Sequence, residues 1–306
     1  MDKIHITIPA TTANLGAGFD VFALALSSPI DSMTVEKIHS GIIIESRGYS
    51  IPLELSKNCA SVVATELLHA YNIQEGVKIQ MTKHIFPGSG LGSSAASSVG
   101  AAYAINQLFA LDLSLNDLAF YASKGEAVTA GTPHYDNVVA GLWGGFTIIY
   151  SFNPLCVAQF APPHQLGIVI ILPNISKGST KTARNALPTH ILRENVVFNV
   201  GKAAIMAAGM ASQNLELIIA GMDDSIVEPA RAQAGLLREF SEIKKTGIQF
   251  GAGIAASGAG PAILGITEKN RRQELVDALL PIYQRTGFSC KVYLTEPGKG
   301  VQTINN

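Results

Sequence analysis

FPGSGLGSSAASS, residues 86–98, decides how this 306-residue chain is read. It follows a short β-branched run at 77–82 and precedes a small-residue helical pattern to about 110, so it joins a strand to a helix. Gly88, Gly90 and Gly92 allow left-handed backbone and close approach to a ligand. Ser93 and Ser94 stand where a helix N-cap is expected. A helix N-terminus offers unpaired N–H groups and a partial positive charge, which suits a phosphate. A Cβ at Gly92 is expected to stand where the backbone meets that phosphate.

Several other glycine loops are excluded. A Walker A loop needs a Lys that this stretch lacks, so backbone N–H groups and a metal ion are left to meet the phosphate charge. The dinucleotide fingerprint and the protein-kinase loop both need a third Gly where Ser93 stands. A Gly/Ser loop that only turns a strand into a helix remains the plain alternative. Two further glycine-rich segments weigh against it: PATTANLGAGFD at 9–20 and GAGIAASGAGPAILG at 251–265.

Composition narrows the class. Hydrophobic residues make up 47% and charged residues 15%, the latter against about 25% in an average soluble domain. That balance suits a chain with a full core and argues against disorder. The net charge of -1 gives no footprint for nucleic acid or an anionic membrane. Cys59, Cys156 and Cys290 are too scattered for a disulfide framework or a zinc site, and read as free thiols. The uncharged stretches 84–111 and 137–176 are broken by Gly, Ser and Pro, and the first ten residues lack the apolar core of a signal peptide. A cytoplasmic protein is expected.

Strands are expected at 3–8, 33–38, 41–45, 77–82, 144–151, 155–160, 166–172, 248–256, 262–267 and 289–294. Helices are expected at 58–71, 93–110, 114–130, 177–186, 189–210, 236–246 and 269–285, with Asn58 and Ser114 as caps. The segment 10–20 is expected to be a loop. The alternation lacks a Rossmann rhythm and reads as α+β in two parts, 1–165 and 166–306. Lys244 and Lys245 read as a solvated helix end.

The three glycine-rich segments, in this order and spacing, resemble the GHMP kinase family. The middle one is similar to its phosphate loop, and the last to a C-terminal motif that packs beside that loop. ANLGAGFD at 13–20, HYDNVVAG at 134–141, STKTARNALP at 179–188 and EPARA at 228–232 are similar to segments of the homoserine kinases within that family. Ala17 and Ala230 depart from the usual Pro and aromatic. The resemblance implies a nucleotide-binding α/β subdomain followed by a ferredoxin-like α+β subdomain, usually as a homodimer. It implies transfer of the γ-phosphoryl of ATP to the hydroxyl of L-homoserine, with Mg2+, toward threonine.

Residue by residue, it implies nucleotide binding by Phe86, Pro87, Gly88, Ser89, Gly90, Leu91, Gly92, Ser93, Ser94, Ala95 and Ala96. Ser94 and Glu126 are expected to hold the metal. Asn14, Asp20, His134, Asn137, Thr180, Arg184 and Arg231 are expected around the substrate. The guanidinium forks of Arg184 and Arg231 suit a carboxylate, and Asp20 suits an ammonium or hydroxyl. Asn137, Glu126 and Asp20 are the catalytic candidates. Asn137 falls where other GHMP kinases carry an Asp, so no carboxylate is assigned as base. Asp136 is expected to point elsewhere and orient the segment. Another small-molecule kinase of the family, or a silent binding protein with this fold, are the alternatives. Intact Ser93, Ser94 and Glu126 argue against the silent one.

Overall fold

The computed structural model describes residues 2–175 and 180–304. β1 (Lys3–Asn14) and β2 (Gly18–Ile38) form a long antiparallel hairpin. The expected loop at 10–20 is therefore mostly strand, with only residues 15–17 in the turn. Its small residues misled the reading: Ala10, Ala13 and Ala23 are fully buried, where larger side chains would not fit. β3 (Ile42–Gly48), α1 (Cys59–Ala70) and β4 (Gly76–Lys83) make a parallel crossover, with Asn58 capping α1 through Ser61 N.

α2 (Ser93–Phe109) follows the glycine loop, and α3 (Leu115–Ala130) starts on a Ser114–Asp117 capping box. α2 packs on α1, α3, β1 and β2. Its alanines make this possible, since Ala95, Ala96, Ala101, Ala102 and Ala104 are all buried. At the crossing with α3, a Cβ on Gly125 would stand 2.4 Å from Ser98 Oγ. That close approach brings the next residue, Glu126, against α2. α4 (Asp136–Trp143) is a helix the sequence reading treated only as a motif. β5 (Phe146–Phe152) and β6 (Leu155–Phe160) complete the first sheet, β5 pairing with the lower half of β2.

The second half contains β7 (Leu166–Pro173), α5 (Thr180–Asn185), α6 (Arg193–Ser212), α7 (Leu215–Gly221), α8 (Val227–Gln233), α9 (Phe240–Phe250), β8 (Gly253–Ala256), β9 (Ile263–Glu268), α10 (Arg272–Arg285) and β10 (Cys290–Thr295). The part of the expected helix at 177–179 lies outside the described residues. The strand expected from 248 begins at 253, because α9 runs on to Phe250 and ends at Gly251 in the left-handed conformation. Strand order β10-β7-β9-β8, all antiparallel, with helices after β7 and β9, is the ferredoxin-like arrangement.

β7 explains its continuous apolar run. Leu166, Ile168, Ile170 and Leu172 join the large core of the first half, while Val169 and Ile171 join a second core with α9 and α10. A strand buried on both faces shows no polar alternation. β11 (Gln302–Thr303) then returns to pair with β1, so the last described strand lies on the same sheet as the first. Among the described residues, no helix is long and apolar enough to cross a membrane.

Candidate active site

A cavity of about 410 Å³ opens where the three glycine-rich segments meet. Its floor is the loop before α2. Gly88, Gly90 and Gly92 have φ of 74°, 89° and 68°, values that L side chains rarely adopt. Gly92 itself is the N-cap, so the expected Ser93 or Ser94 cap is corrected. Ala96 N–H is bonded to Gly92 O at 2.8 Å. The N–H groups of the preceding residues of the first turn have no intrahelical acceptor, as at any helix start. Ser93 Oγ turns back to Ile85 O at 2.9 Å, while Ser94 Oγ donates to Glu126 Oε2 at 3.0 Å.

The third segment braces this loop. Ser257 Oγ bonds Gly90 O at 2.8 Å and Thr12 Oγ1 at 2.8 Å, and Ala262 N–H donates to Ser89 O at 3.0 Å. A Cβ on Gly90 would stand 2.2 Å from Ser257 O. A Cβ on Gly92 would stand 2.0 Å from Thr11 Oγ1 and 3.2 Å from Asn137 Oδ1. Gly92 is therefore also needed for the packing of β1 and α4.

Lys83 lies beneath the loop, fully buried and ion-paired with Asp31. Its Nζ donates to Ser93 O at 2.9 Å and Ser97 Oγ at 3.0 Å. Asp31 Oδ1 accepts from His84 N and Ile85 N at 2.7 and 2.9 Å. The charge of Lys83 is thus spent inside the protein, where it pins the first turn of α2 to β4. The absence of a Lys within the loop had hidden it, though its place at the end of the preceding strand was a usable signal.

Glu126 is 7% exposed. Burial pushes its carboxyl up to about 7, with the Ser94 hydrogen bond opposing and Asp136 adding to the rise. Asp136 also lines the cavity. Burial takes it up to about 6. It does orient its neighbour: Asp136 Oδ1 accepts from Asn137 N at 2.7 Å and Nδ2 at 3.2 Å, and Thr11 Oγ1 donates to Asn137 Oδ1 at 2.8 Å.

Also lining the cavity, Arg184 Nη2 lies 2.8 Å from both oxygens of Asp20 and 3.1 Å from His134 Nδ1. Asp20 has φ 59° and Asn14 φ 77°, and Asn14 Oδ1 accepts from Asp20 N at 3.1 Å. Arg231 is buried, with Nη1 donating to Gly258 O at 2.7 Å. Both guanidinium carbons sit 5.5 Å from the centre of the Phe19 ring, within cation–π reach. Burial, then Arg184, lowers the pKa of His134 against the pull of Asp20.

Three comparisons with known proteins bear on the family and the fold. Residues 56–145 match the GHMP kinases N terminal domain. The chain is 43% identical over 304 residues to the homoserine kinase of Methanococcus maripaludis, covering 98% of each. The chain belongs to the homoserine kinase family, a branch of the GHMP kinases. It is also 41% identical over 305 residues to the homoserine kinase of Methanococcus vannielii, again covering 98% of each. The solved homoserine kinase of Cytophaga hutchinsonii superposes with a TM-score of 0.91 at 34% identity, covering 99% of this chain and 98% of that one. The GHMP fold expected from the three glycine segments is the fold observed.

Most of the residues expected from that family meet in one cavity. Asn14, Asp20, Pro87, Gly88, Gly90, Gly92, Ser93, Ser94, Glu126, His134, Asn137, Arg184 and Arg231 all line it. Phe86, Ser89, Leu91, Ala95 and Ala96 do not. Phe86 packs edge-on against Tyr49, and the other four are buried. The side chain of Thr180 lies outside the description. Sequence reasoning passed over Thr11, Phe19, Lys83, Asp31 and Ser257. Phe19 and Thr11 sat inside a quoted motif, but only the fold shows what they touch.

Proposed function

We propose that this chain transfers the γ-phosphoryl group of ATP to the side-chain hydroxyl of L-homoserine, giving O-phospho-L-homoserine and ADP on the way to threonine. One observation carries the reading beyond family membership. The cavity is lined both by a backbone-built anion cradle and by an acid with two arginines. An α-amino acid bearing a hydroxyl matches the second group, and a nucleotide triphosphate matches the first.

The nucleotide phosphates lie against the loop at 88–94 and the first turn of α2. Ser94 and Glu126 present two hard oxygen donors there, 3.0 Å apart. Magnesium on a nucleotide keeps phosphate oxygens and waters and takes one or two protein oxygens, so this pair fits it. Bound there, the ion would neutralise charge on the transferred group.

Homoserine enters as a zwitterion and exchanges for an internal ion pair. Its carboxylate takes Arg184 and Arg231, and its ammonium takes Asp20, so the Asp20–Arg184 pair of the empty site is replaced by two new pairs. A ligand with one charge leaves a partner stranded, and the site therefore favours amino acids. Asn137, fixed by Thr11 and Asp136, faces the hydroxyl. The new O–P bond forms as the bond to the β-phosphate oxygen breaks. The hydroxyl proton passes to an oxygen of the transferred group or to solvent, since a loose transition state needs no early base.

On this reading, residues 1–165 carry the nucleotide and residues 166–306 carry the arginines, in a cytoplasmic homodimer. Incubation with MgATP and equimolar homoserine, mevalonate and shikimate, read by phosphorus NMR, tests it. A phosphate monoester on homoserine alone is expected, and preference for either of the others would overturn the reading.

A further inference from the structure

Glu228 opens the EPARA segment, and the reaction described above does not use it. It is 4% exposed on α8, one turn before Arg231. Its Oε1 accepts from Ala256 N–H at 2.8 Å, a donor at the end of β8. β8 is the edge strand of the second sheet, so this N–H would otherwise have no ladder partner on that side. Its Oε2 accepts from Lys244 Nζ at 2.6 Å, and Lys244 also meets Asp223 at 2.7 Å. Lys244 is thereby a half-buried tie between α9 and α8, not the solvated helix end expected of it. Asp224 caps the same helix, accepting from Val227 N and Glu228 N at 2.7 and 2.5 Å.

These contacts close a ring. Glu228 holds Ala256, and the next residue, Ser257, holds Gly90 of the phosphate loop at 2.8 Å. Gly258 O then accepts Arg231 Nη1 at 2.7 Å and Asn14 Nδ2 at 3.0 Å. The ring returns to α8, which carries both Arg231 and Glu228. The guanidinium of Arg231 is thus referenced to the phosphate loop through one buried carboxylate and three consecutive residues.

We propose that Glu228 is a positioning residue for Arg231, fixing where the substrate carboxylate sits relative to the transferred phosphoryl group by tying α8 to the end of β8. The proposal rests on the assignment of Arg231 to the homoserine carboxylate. A residue that only stabilised the fold would lower melting temperature and leave the homoserine KM alone. A positioning residue raises that KM through Arg231 and does nothing further once Arg231 is gone.

The test is a double-mutant cycle on homoserine KM, with ATP KM and melting temperature measured alongside. Glu228→Ala should raise homoserine KM about tenfold, with ATP KM within about twofold of wild type. Glu228→Gln keeps an oxygen for Ala256 N–H and should restore KM to within about threefold. Adding either change to Arg231→Leu should raise KM no further. If Glu228→Ala does not fold, the cycle with Glu228→Gln decides, since its smaller rise should also vanish in the Arg231→Leu background. Multiplicative effects in the cycle, or an unchanged KM in folded Glu228→Ala, would overturn the proposal while leaving the carboxylate assignment standing. An unchanged KM in Arg231→Leu alone would overturn the carboxylate assignment, and this proposal with it.

Discussion

At the proposed phosphate end of the cavity, Gly88, Gly90 and Gly92 bring backbone to the surface, and the nearby acids are buried, Glu126 bonded to Ser94 and Asp136 to Asn137. At the amino-acid end, Asp20, Arg184 and Arg231 hold charge on side chains, and the Asp20–Arg184 pair is about one third exposed. The first is braced by Ser257 and Lys83. The second, on the proposed reading, exchanges an internal ion pair for the ligand. Rigid backbone dipoles suit a group present in every turnover in the same form. Exchangeable side chains suit the choice among substrates.

The largest expected effect breaks the rigid end. Gly92→Val forces a left-handed backbone on a β-branched residue, which alone costs about 1–2 kcal/mol or more. Its Cβ would also displace Thr11 Oγ1, 2.0 Å away, and with it the bond to Asn137. Calorimetry should find no ATP binding, and scanning fluorimetry a clearly lower melting temperature. Normal nucleotide affinity with normal stability would remove the loop from the phosphate site.

Next comes the buried acid. Glu126→Gln keeps the shape and the Ser94 contact but loses the charge. It should lower kcat by roughly 10²–10³-fold and raise the magnesium requirement, with little change in homoserine KM. An unchanged magnesium titration would make Glu126 a packing residue.

The two ends were not equally legible in the sequence. The proposed phosphate end rests on backbone N–H groups, which belong to one contiguous stretch, so residues 86–98 announced it. The helix there was legible too, because Ser93–Phe109 contains no proline, and its one glycine, Gly100, packs closely on Met33 and Ile8. The amino-acid end gathers Asp20 from β2, His134 from the segment before α4, Arg184 from α5 and Arg231 from α8. No local pattern joins those positions, and resemblance to a family supplied them. The β1–β2 hairpin was missed because small residues at 10–17 mimic a loop. The Glu228–Lys244 tie was missed because a lysine pair looks solvated until the fold places a carboxylate 2.6 Å away.

The exchange at the amino-acid end predicts a smaller, selective loss. Arg184→Leu or Arg231→Leu should raise homoserine KM about ten- to a hundredfold, the equivalent of one charge-assisted contact at roughly 1.5–3 kcal/mol. ATP KM should hardly move. Homoserine methyl ester, lacking the negative charge, should be a poor substrate for the wild type and lose far less in these variants. Equal losses for acid and ester would show that the arginines do not read the carboxylate.

The smallest effect separates buried acid from exchanged ion pair by proton linkage, in protein kept free of metal with EDTA. Burial raises Glu126 to about 7, Asp136 to about 6 and Glu228 to about 7, the last against the pull of Lys244. A carboxyl with a higher pKa folded than unfolded binds more protons in the folded chain between the two values. Its stabilising effect is complete below the unfolded value and is lost as pH rises through the folded one. His134 opposes this, since its lowered pKa makes the folded chain bind fewer protons near neutrality. The lowered pKa values of exposed Glu45, Glu54 and Glu296 act only below this window. Three buried carboxyls against one half-buried imidazole leave a net loss of stability from pH 5 to 8. Melting temperature should therefore fall by a few degrees across that range. Glu126→Gln should flatten the slope, because its amide does not titrate. Arg184→Leu should leave most of it, because the Asp20–Arg184 pair contributes none of the three raised carboxyls. A melting temperature that rises with pH, or a slope that Glu126→Gln leaves unchanged, would mean that the phosphate end holds its acid ionised before magnesium arrives.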